Sequence, residues 1–199
     1  MSKLPPGQVR IIAGSLRGSK LPVPDRPGLR PTGVRVRETL FNWLQQHVSG
    51  TRVLDLFAGT GALGFEAASR GAAEVLLVER DAALAENLRA SATRLKCANV
   101  RVECADVLAW LAQPASNQAG FDLVFVDPPF AAGLWDATAS ALRPWLADSA
   151  RVYVERPNHA DFAAPAGWQL LREGRTRDVH YALYATENRR AAATLAASS

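Results

Sequence analysis

The sequence predicts a doubly wound α/β domain: a mostly parallel, seven-stranded sheet with helices on both faces, preceded by a β-hairpin arm. Two observations predict it. Short, nearly continuous apolar runs bounded by Gly, Asp or Pro alternate with segments of helical spacing, the pattern of parallel strands buried between helices. A glycine-rich turn joins the first of these runs to the helical segment after it, where such sheets hold ligands. The 199 residues, 48% hydrophobic and 21% charged, suffice for one core and exclude two large domains or a disordered chain.

Residues 1–31 are rich in turn formers and read as a basic arm, an appendage whose runs 8–13 and 20–23 form a hairpin across 14–18. The main domain is expected over 32–188 and a fraying, small-residue tail over 189–199. Val36, Leu40, Phe41, Leu44 and Val48 recur every three or four residues, which predicts a helix from 35 to about 49. Strands are predicted at 53–57, 75–79, 100–104, 121–127 and 151–155, with helices at 63–69, 82–95, 107–112 and 134–146 between them. The runs 168–173 and 179–185 have no long helix between them and are expected to close the sheet as an antiparallel pair.

The net charge of +4 is unevenly spread: residues 1–40 hold eight cations against Asp25 and Glu38, leaving the remainder slightly acidic. A basic arm on a near-neutral body suits a phosphate-backbone partner, because neutralising phosphates releases counterions, and arginine suits bidentate phosphate contact. A solvated surface explains the charge equally well. No apolar run is long enough to span a membrane, and the N-terminus lacks a signal-type apolar stretch, so a cytoplasmic, membrane-free protein is expected. Cys97 and Cys104 lack zinc-site spacing and are expected to be buried, inert thiols. His47, His159 and His180 are scattered, so no metal is expected, and the five tryptophans read as packing residues.

In Val53-Leu-Asp-Leu-Phe-Ala-Gly-Thr-Gly-Ala-Leu-Gly64, three glycines fall in a strand-to-helix turn at G-x-G-x-x-G spacing. Missing side chains let the backbone turn sharply against a ligand, and the helix start offers free N–H groups. Glu79, twenty residues after Gly59, ends the next strand, where a carboxylate can accept from both ribose hydroxyls. This alone is a nucleoside signal that also fits a nicotinamide dehydrogenase. Asp55, four residues before Gly59, tips the balance: it would repel a pyrophosphate but attract the ammonium and sulfonium of S-adenosylmethionine. The alternative is that Asp55 merely hydrogen-bonds the turn, and that Glu79 caps the next helix, where Asp81 is the better cap. Asp106 ends the third strand, where it can accept from an adenine amino group, with the Val107 N–H beside the ring, or N-cap the following helix; one residue can do both.

The strand 121–127 stops at Asp127-Pro-Pro-Phe130, since prolines cannot continue a ladder. An exocyclic base amine is a poor nucleophile because its lone pair is delocalised into the ring. Accepting its hydrogens with the Asp127 carboxylate and the Pro128 carbonyl favours a pyramidal nitrogen. Phe130 can stack on the base, and Pro128 and Pro129 keep the loop rigid. Asp127 capping a turn before Pro128 explains the Asp-Pro step but not the whole tetrad.

The glycine turn and Asp127-Pro-Pro-Phe130 resemble Rossmann-like class I S-adenosylmethionine-dependent amino-methyltransferases. The arm motifs Arg10-Ile-Ile-Ala-Gly14, Arg17-Gly18, Lys20-Leu-Pro, Gly28-Leu-Arg-Pro-Thr32 and Arg35-Val-Arg-Glu-Thr-Leu-Phe-Asn-Trp43 resemble the bacterial RsmD family, 16S rRNA guanine-N2 methyltransferases. The resemblance runs over residues 8–185 and implies methylation of guanine 966 in the assembled or partly assembled small subunit. It implies that Asp55, Gly59, Gly61, Glu79 and Asp106 hold S-adenosylmethionine, with Phe57, Arg80 and Val107 beside them, and that Asp127 to Phe130 hold the base. Arg10, Arg17, Lys20, Arg35 and Arg37 are the candidate RNA contacts on an expected monomer. Competing readings are an amino-methyltransferase acting on adenine or cytosine of DNA, a non-catalytic ribosome assembly factor, and a nicotinamide dehydrogenase.

Overall fold

The computed structural model describes residues 7–24, 33–115 and 120–187. The expected tail, the motif Gly28 to Thr32 and the boundary between arm and domain lie outside the described residues. In the arm, β1 (Gln8–Arg10) and β2 (Lys20–Pro22) pair antiparallel. Helix α1 (Val34–Trp43) leads into β3 (Arg52–Asp55), α2 (Ala62–Ser69), β4 (Glu74–Glu79), α3 (Ala82–Arg94), β5 (Val100–Cys104), α4 (Val107–Leu111) and β6 (Phe121–Val126). A single 3-10 turn at Phe130–Ala132, α5 (Trp135–Ala141), β7 (Leu146–Pro157), β8 (Trp168–Arg175) and β9 (Val179–Thr186) follow.

The seven-stranded sheet has the order β5-β4-β3-β6-β7-β9-β8. β3 to β7 are mutually parallel, and β9 runs antiparallel between β7 and β8, the expected closing pair. The order reverses between β3 and β6, so the carboxyl ends of these two adjacent strands form the crevice where a doubly wound sheet holds ligands. One face packs against the arm, α1 and α2 through Phe41, Phe65, Phe125 and Tyr153; the other packs through Leu54, Val124, Trp110 and Trp135.

The arm is not an appendage. Val9, Ile11 and Leu21 are buried in the core of the first face. Gly14, at φ +82°, lies so close to the Ser69 carbonyl that a side chain has no room there. Ser69 Oγ accepts the Leu16 N–H at 2.9 Å and donates to the Ala13 carbonyl. Turn-rich composition described the chain path correctly and its burial wrongly. The thiols also differ from expectation: Cys97 is half-buried and Cys104 exposed. Burial pushes the Cys97 thiol up, which keeps it protonated and unreactive.

Candidate active site

Asp55 ends β3, and the chain then leaves the sheet through Phe57 to Gly61. Gly61 sits at φ +75° as the cap of α2, and a Cβ there would meet Phe65 at 2.6 Å and Leu88 at 2.7 Å. Only glycine serves both demands. The turn is braced from the neighbouring strand: Glu79 Oε2 accepts the Gly59 N–H at 2.9 Å and Oε1 accepts the Asp81 N–H at 2.8 Å. The sequence offered Glu79 to ribose hydroxyls or, as the alternative, to capping the next helix; the structure adds this bracing of the glycine turn, visible in advance only as the spacing between Gly59 and Glu79. Asp81 caps α3, as its position suggested, accepting from Ala83 at 2.8 Å and Leu84 at 3.0 Å.

Asp55 Oδ2 accepts the Gly64 N–H at 3.0 Å, so the carboxylate does hold the turn. Burial pushes its pKa up to about 7, with the nearby Glu79 charge adding to the rise and the N–H groups of Gly64 and Phe57 opposing it. Two carboxylates thus face one buried turn, an environment that favours a cationic occupant. Asp106 is exposed and N-caps α4, accepting the Ala109 N–H at 3.1 Å, with Val107 buried below it. Phe57 is half-buried and Arg80 exposed.

Because Asp55 pairs with Phe125 across parallel strands, Asp127, two residues further along β6's course, emerges at the same rim as the glycine turn. Pro128 is buried; Pro129 is exposed, and Phe130 is 38% exposed, an aromatic face left to solvent. Trp135, centred 6.4 Å from Phe130, is anchored by donating its indole N–H to the Glu155 carbonyl at 2.7 Å. Buried Tyr153 donates to Glu155 Oε2 at 2.8 Å, and burial, then the charges of Glu155 and Asp127, push its hydroxyl pKa up. Sequence reasoning did not single out Tyr153 and Glu155; they read as ordinary strand residues, and only the register beside β6 brings them to the rim.

Arg10, Arg17, Lys20 and Arg35 are exposed, as a polyanion contact requires. Arg37 is a correction: it is 1% exposed, donates to the Arg10 carbonyl at 3.2 Å and lies 3.8 Å from Glu66 Oε2. It cannot reach RNA. Its apolar neighbours Val36, Leu40 and Phe41 carry that side of α1 into the core, and the guanidinium goes with them to Glu66. The loop bearing Arg17 packs against Ser69 at the far end of α2 from the glycine turn, so it lies away from the rim.

The family profile described as "Conserved hypothetical protein 95" matches residues 9–185. Ribosomal RNA small subunit methyltransferase D of Escherichia coli strain K12 is 48% identical over 184 residues, 91% of each chain. The chain belongs to this methyltransferase D family. The Haemophilus influenzae member is 46% identical over 182 residues, covering 89% of this chain and 94% of that one. A solved structure described as a putative methyltransferase, yhhF from Escherichia coli, superposes at TM-score 0.84 with 47% identity over 92% of this chain and the whole of the other. The matched region takes in the arm from Val9 onward, the glycine turn and the Asp127 loop, so the arm is as much a part of the methyltransferase D family as the sheet is.

Proposed function

We propose that the chain is a cytoplasmic, monomeric enzyme that methylates the exocyclic N2 of guanine 966 of 16S rRNA within small-subunit particles, using S-adenosylmethionine. The carrying observation is that the Asp55 and Glu79 turn and the Asp127 loop open at one rim of adjacent parallel strands. The relatives are named as methyltransferases of small-subunit ribosomal RNA.

The donor set fits the cofactor. Asp55 and Glu79 offer negative charge and acceptors to a cationic, hydroxyl-bearing ligand and oppose a pyrophosphate, which disfavours a dinucleotide. Asp106 and Val107 stand at the end of the third strand for the adenine. When bound, the cofactor supplies an electrophilic methyl group. Asp127 and the Pro128 carbonyl accept the two amine hydrogens and turn the nitrogen lone pair out of conjugation. Asp127 also stabilises the positive charge the nitrogen gains as it reacts. An ordinary aspartate is too weak a base to deprotonate a neutral aryl amine, so the proton leaves only after the nitrogen becomes cationic. Phe130 stacks on an unstacked base, as RNA-modifying sites require.

Cofactor affinity is expected to depend on pH through Asp55. A cationic ligand prefers the ionised carboxylate, so affinity rises as pH climbs through about 7 and falls below it, with a proton released on binding. The stability contribution has the opposite sense. A carboxyl whose folded pKa is raised favours the folded state below its unfolded value of 3.8 and loses that contribution as pH rises to about 7. Asp55→Asn, which keeps an acceptor for the Gly64 N–H, should therefore raise the melting temperature of the cofactor-free protein at pH 8 while weakening cofactor binding about tenfold or more. Calorimetric titration from pH 6 to 8 checks the affinity and a thermal melt at pH 8 the stability; a flat wild-type affinity profile rejects the electrostatic role.

The activity itself is tested by incubating the protein with tritiated donor and unmodified small subunits, naked 16S rRNA or DNA, then mapping the labelled nucleotide. Label on N2 of a single guanine is expected. Label on an adenine or cytosine amine of DNA would establish the DNA reading, and absence of label from every substrate would leave a binding factor.

A further inference from the structure

The carboxyl end of β7 lies at the catalytic rim beside Asp127, because β6 and β7 are parallel with Val126 opposite Val154. β9 is antiparallel to β7 with Val179 opposite Pro157, and Arg175 of β8 faces His180 of β9. The turn joining β8 to β9 therefore projects at that same rim, two strands from β6, about 10 Å at ordinary strand spacing. The arm's hairpin loop, which carries the candidate RNA contact Arg17, lies at the other end of α2.

This turn is held rigidly. Asn158 donates through Nδ2 to the carbonyls of Thr176 at 3.0 Å and Arg177 at 2.9 Å, and its backbone N–H donates to the Asp178 carbonyl at 3.1 Å. Thr176 closes the turn through its N–H to the Val179 carbonyl at 2.8 Å. Arg175 and Arg177, on either side of Thr176, are exposed. Of the nearby carboxylates, Glu173 is engaged by His180 at 2.8 Å, and that hydrogen bond, with smaller contributions from the charges of His180, Arg175 and Arg156, holds its pKa below the usual carboxylate range; Asp178 lies in the turn itself. The turn thus fixes the backbone from which two exposed arginines project beside the reactive rim. Their planar, always charged forks match phosphate oxygens.

We propose that the β8–β9 turn is a phosphate clamp for RNA, gripping the sugar-phosphate backbone that flanks the target nucleotide through Arg175 and Arg177. The proposal rests on the RNA-methylating reading of the Asp127 site. A rigid clamp there takes hold of the strand close to the unstacked base, whereas the arm contacts the particle at a distance. The charge spread of the sequence hid it, because the region beyond residue 40 is net acidic and the two arginines only become a rim feature through the sheet register.

The test compares wild type with Arg175→Ala/Arg177→Ala and, as a control, Arg143→Ala, an exposed arginine just before β7 and so at the amino end of the parallel strands, away from the rim. Affinity for unmodified naked 16S rRNA is measured against salt concentration, and methyl transfer to unmodified small subunits is measured in parallel. The double variant should bind RNA about tenfold more weakly, with the salt slope flattened by about 1.5. Its KM for subunits should rise with kcat and cofactor affinity unchanged, and the control should match wild type. An RNA affinity and salt slope equal to wild type overturn the clamp. So does a raised KM on subunits with an unchanged slope on naked RNA, which would assign the turn to a ribosomal protein instead. Should wild type transfer no methyl to rRNA, the enzymatic reading fails, while the salt slopes still decide the clamp.

Discussion

Asp127→Ala is expected to lower methyl transfer about a thousandfold or more while leaving the cofactor dissociation constant within about twofold of wild type. The split follows from where the side chain stands. The glycine turn is braced by Asp55 and Glu79 from β3 and β4, and neither of their described hydrogen bonds involves Asp127. On the proposed reading the base pocket loses the acceptor that orients the amine and offsets its growing charge, effects that exist only as the reaction proceeds. Asp127→Asn sharpens the result: the amide retains an acceptor oxygen but no charge, so it should recover orientation and fall between alanine and wild type. Single-turnover transfer rates and calorimetric cofactor binding read the two quantities separately. Equal loss of both in Asp127→Ala would mean that Asp127 belongs to the cofactor site.

Local chemistry was legible in the sequence wherever one segment decided it. β5 matches its predicted limits to the residue, and the Asp127 loop ends β6 because two prolines stop the ladder. Where a local signal met a longer-range one, the limits moved. The predicted helix 134–146 breaks after Ala141, with Pro144 inside a 3-10 turn, and β7 begins at Leu146, well before the predicted 151. The helix predicted to about 49 stops at Trp43, although Leu44 and Val48 remain buried: the apolar spacing reported burial, which turns can also satisfy. What could not be read were the partnerships between distant segments. Nothing near Arg37 announces Glu66, nothing near Asp127 announces Tyr153 and Glu155, and nothing near Arg177 announces Asn158. In each case the sheet register or the arm's docking creates the meeting. The candidate cofactor residues were legible because all lie on three strand-to-helix junctions; the RNA surface was not, because a cation's use depends on which way its element faces.

Glu66→Ala should be the most destabilising single substitution outside the sheet, costing about 3–5 kcal/mol, or roughly 8–15 °C in Tm for a domain of this size. Glu66 is wholly buried, and its two oxygens serve four partners: the N–H groups of Ile12 at 2.7 Å and Ala13 at 3.0 Å, Arg70 Nε at 2.8 Å, and Arg37 at 3.8 Å. Truncation strands two backbone donors and leaves the Arg37 guanidinium in the core without its counter-charge. Burial already pulls the Arg37 pKa down, with Glu66 the larger of the two charges that oppose it. Glu66→Gln should cost less, since the amide oxygen can still accept from the arm. Removing the stranded cation as well, in Glu66→Ala/Arg37→Met, should recover part of the loss, because most of the penalty is an unpaired buried charge rather than the pair's net worth. Thermal melts of these three variants and of Arg37→Met alone measure this directly. A fully additive double variant would show that Arg37 and Glu66 are not coupled. In the coupled case the same carboxylate that fastens the arm also seats α2, which the candidate cofactor glycines Gly59 and Gly61 lead into, and so the arm and the proposed catalytic rim are built on one helix.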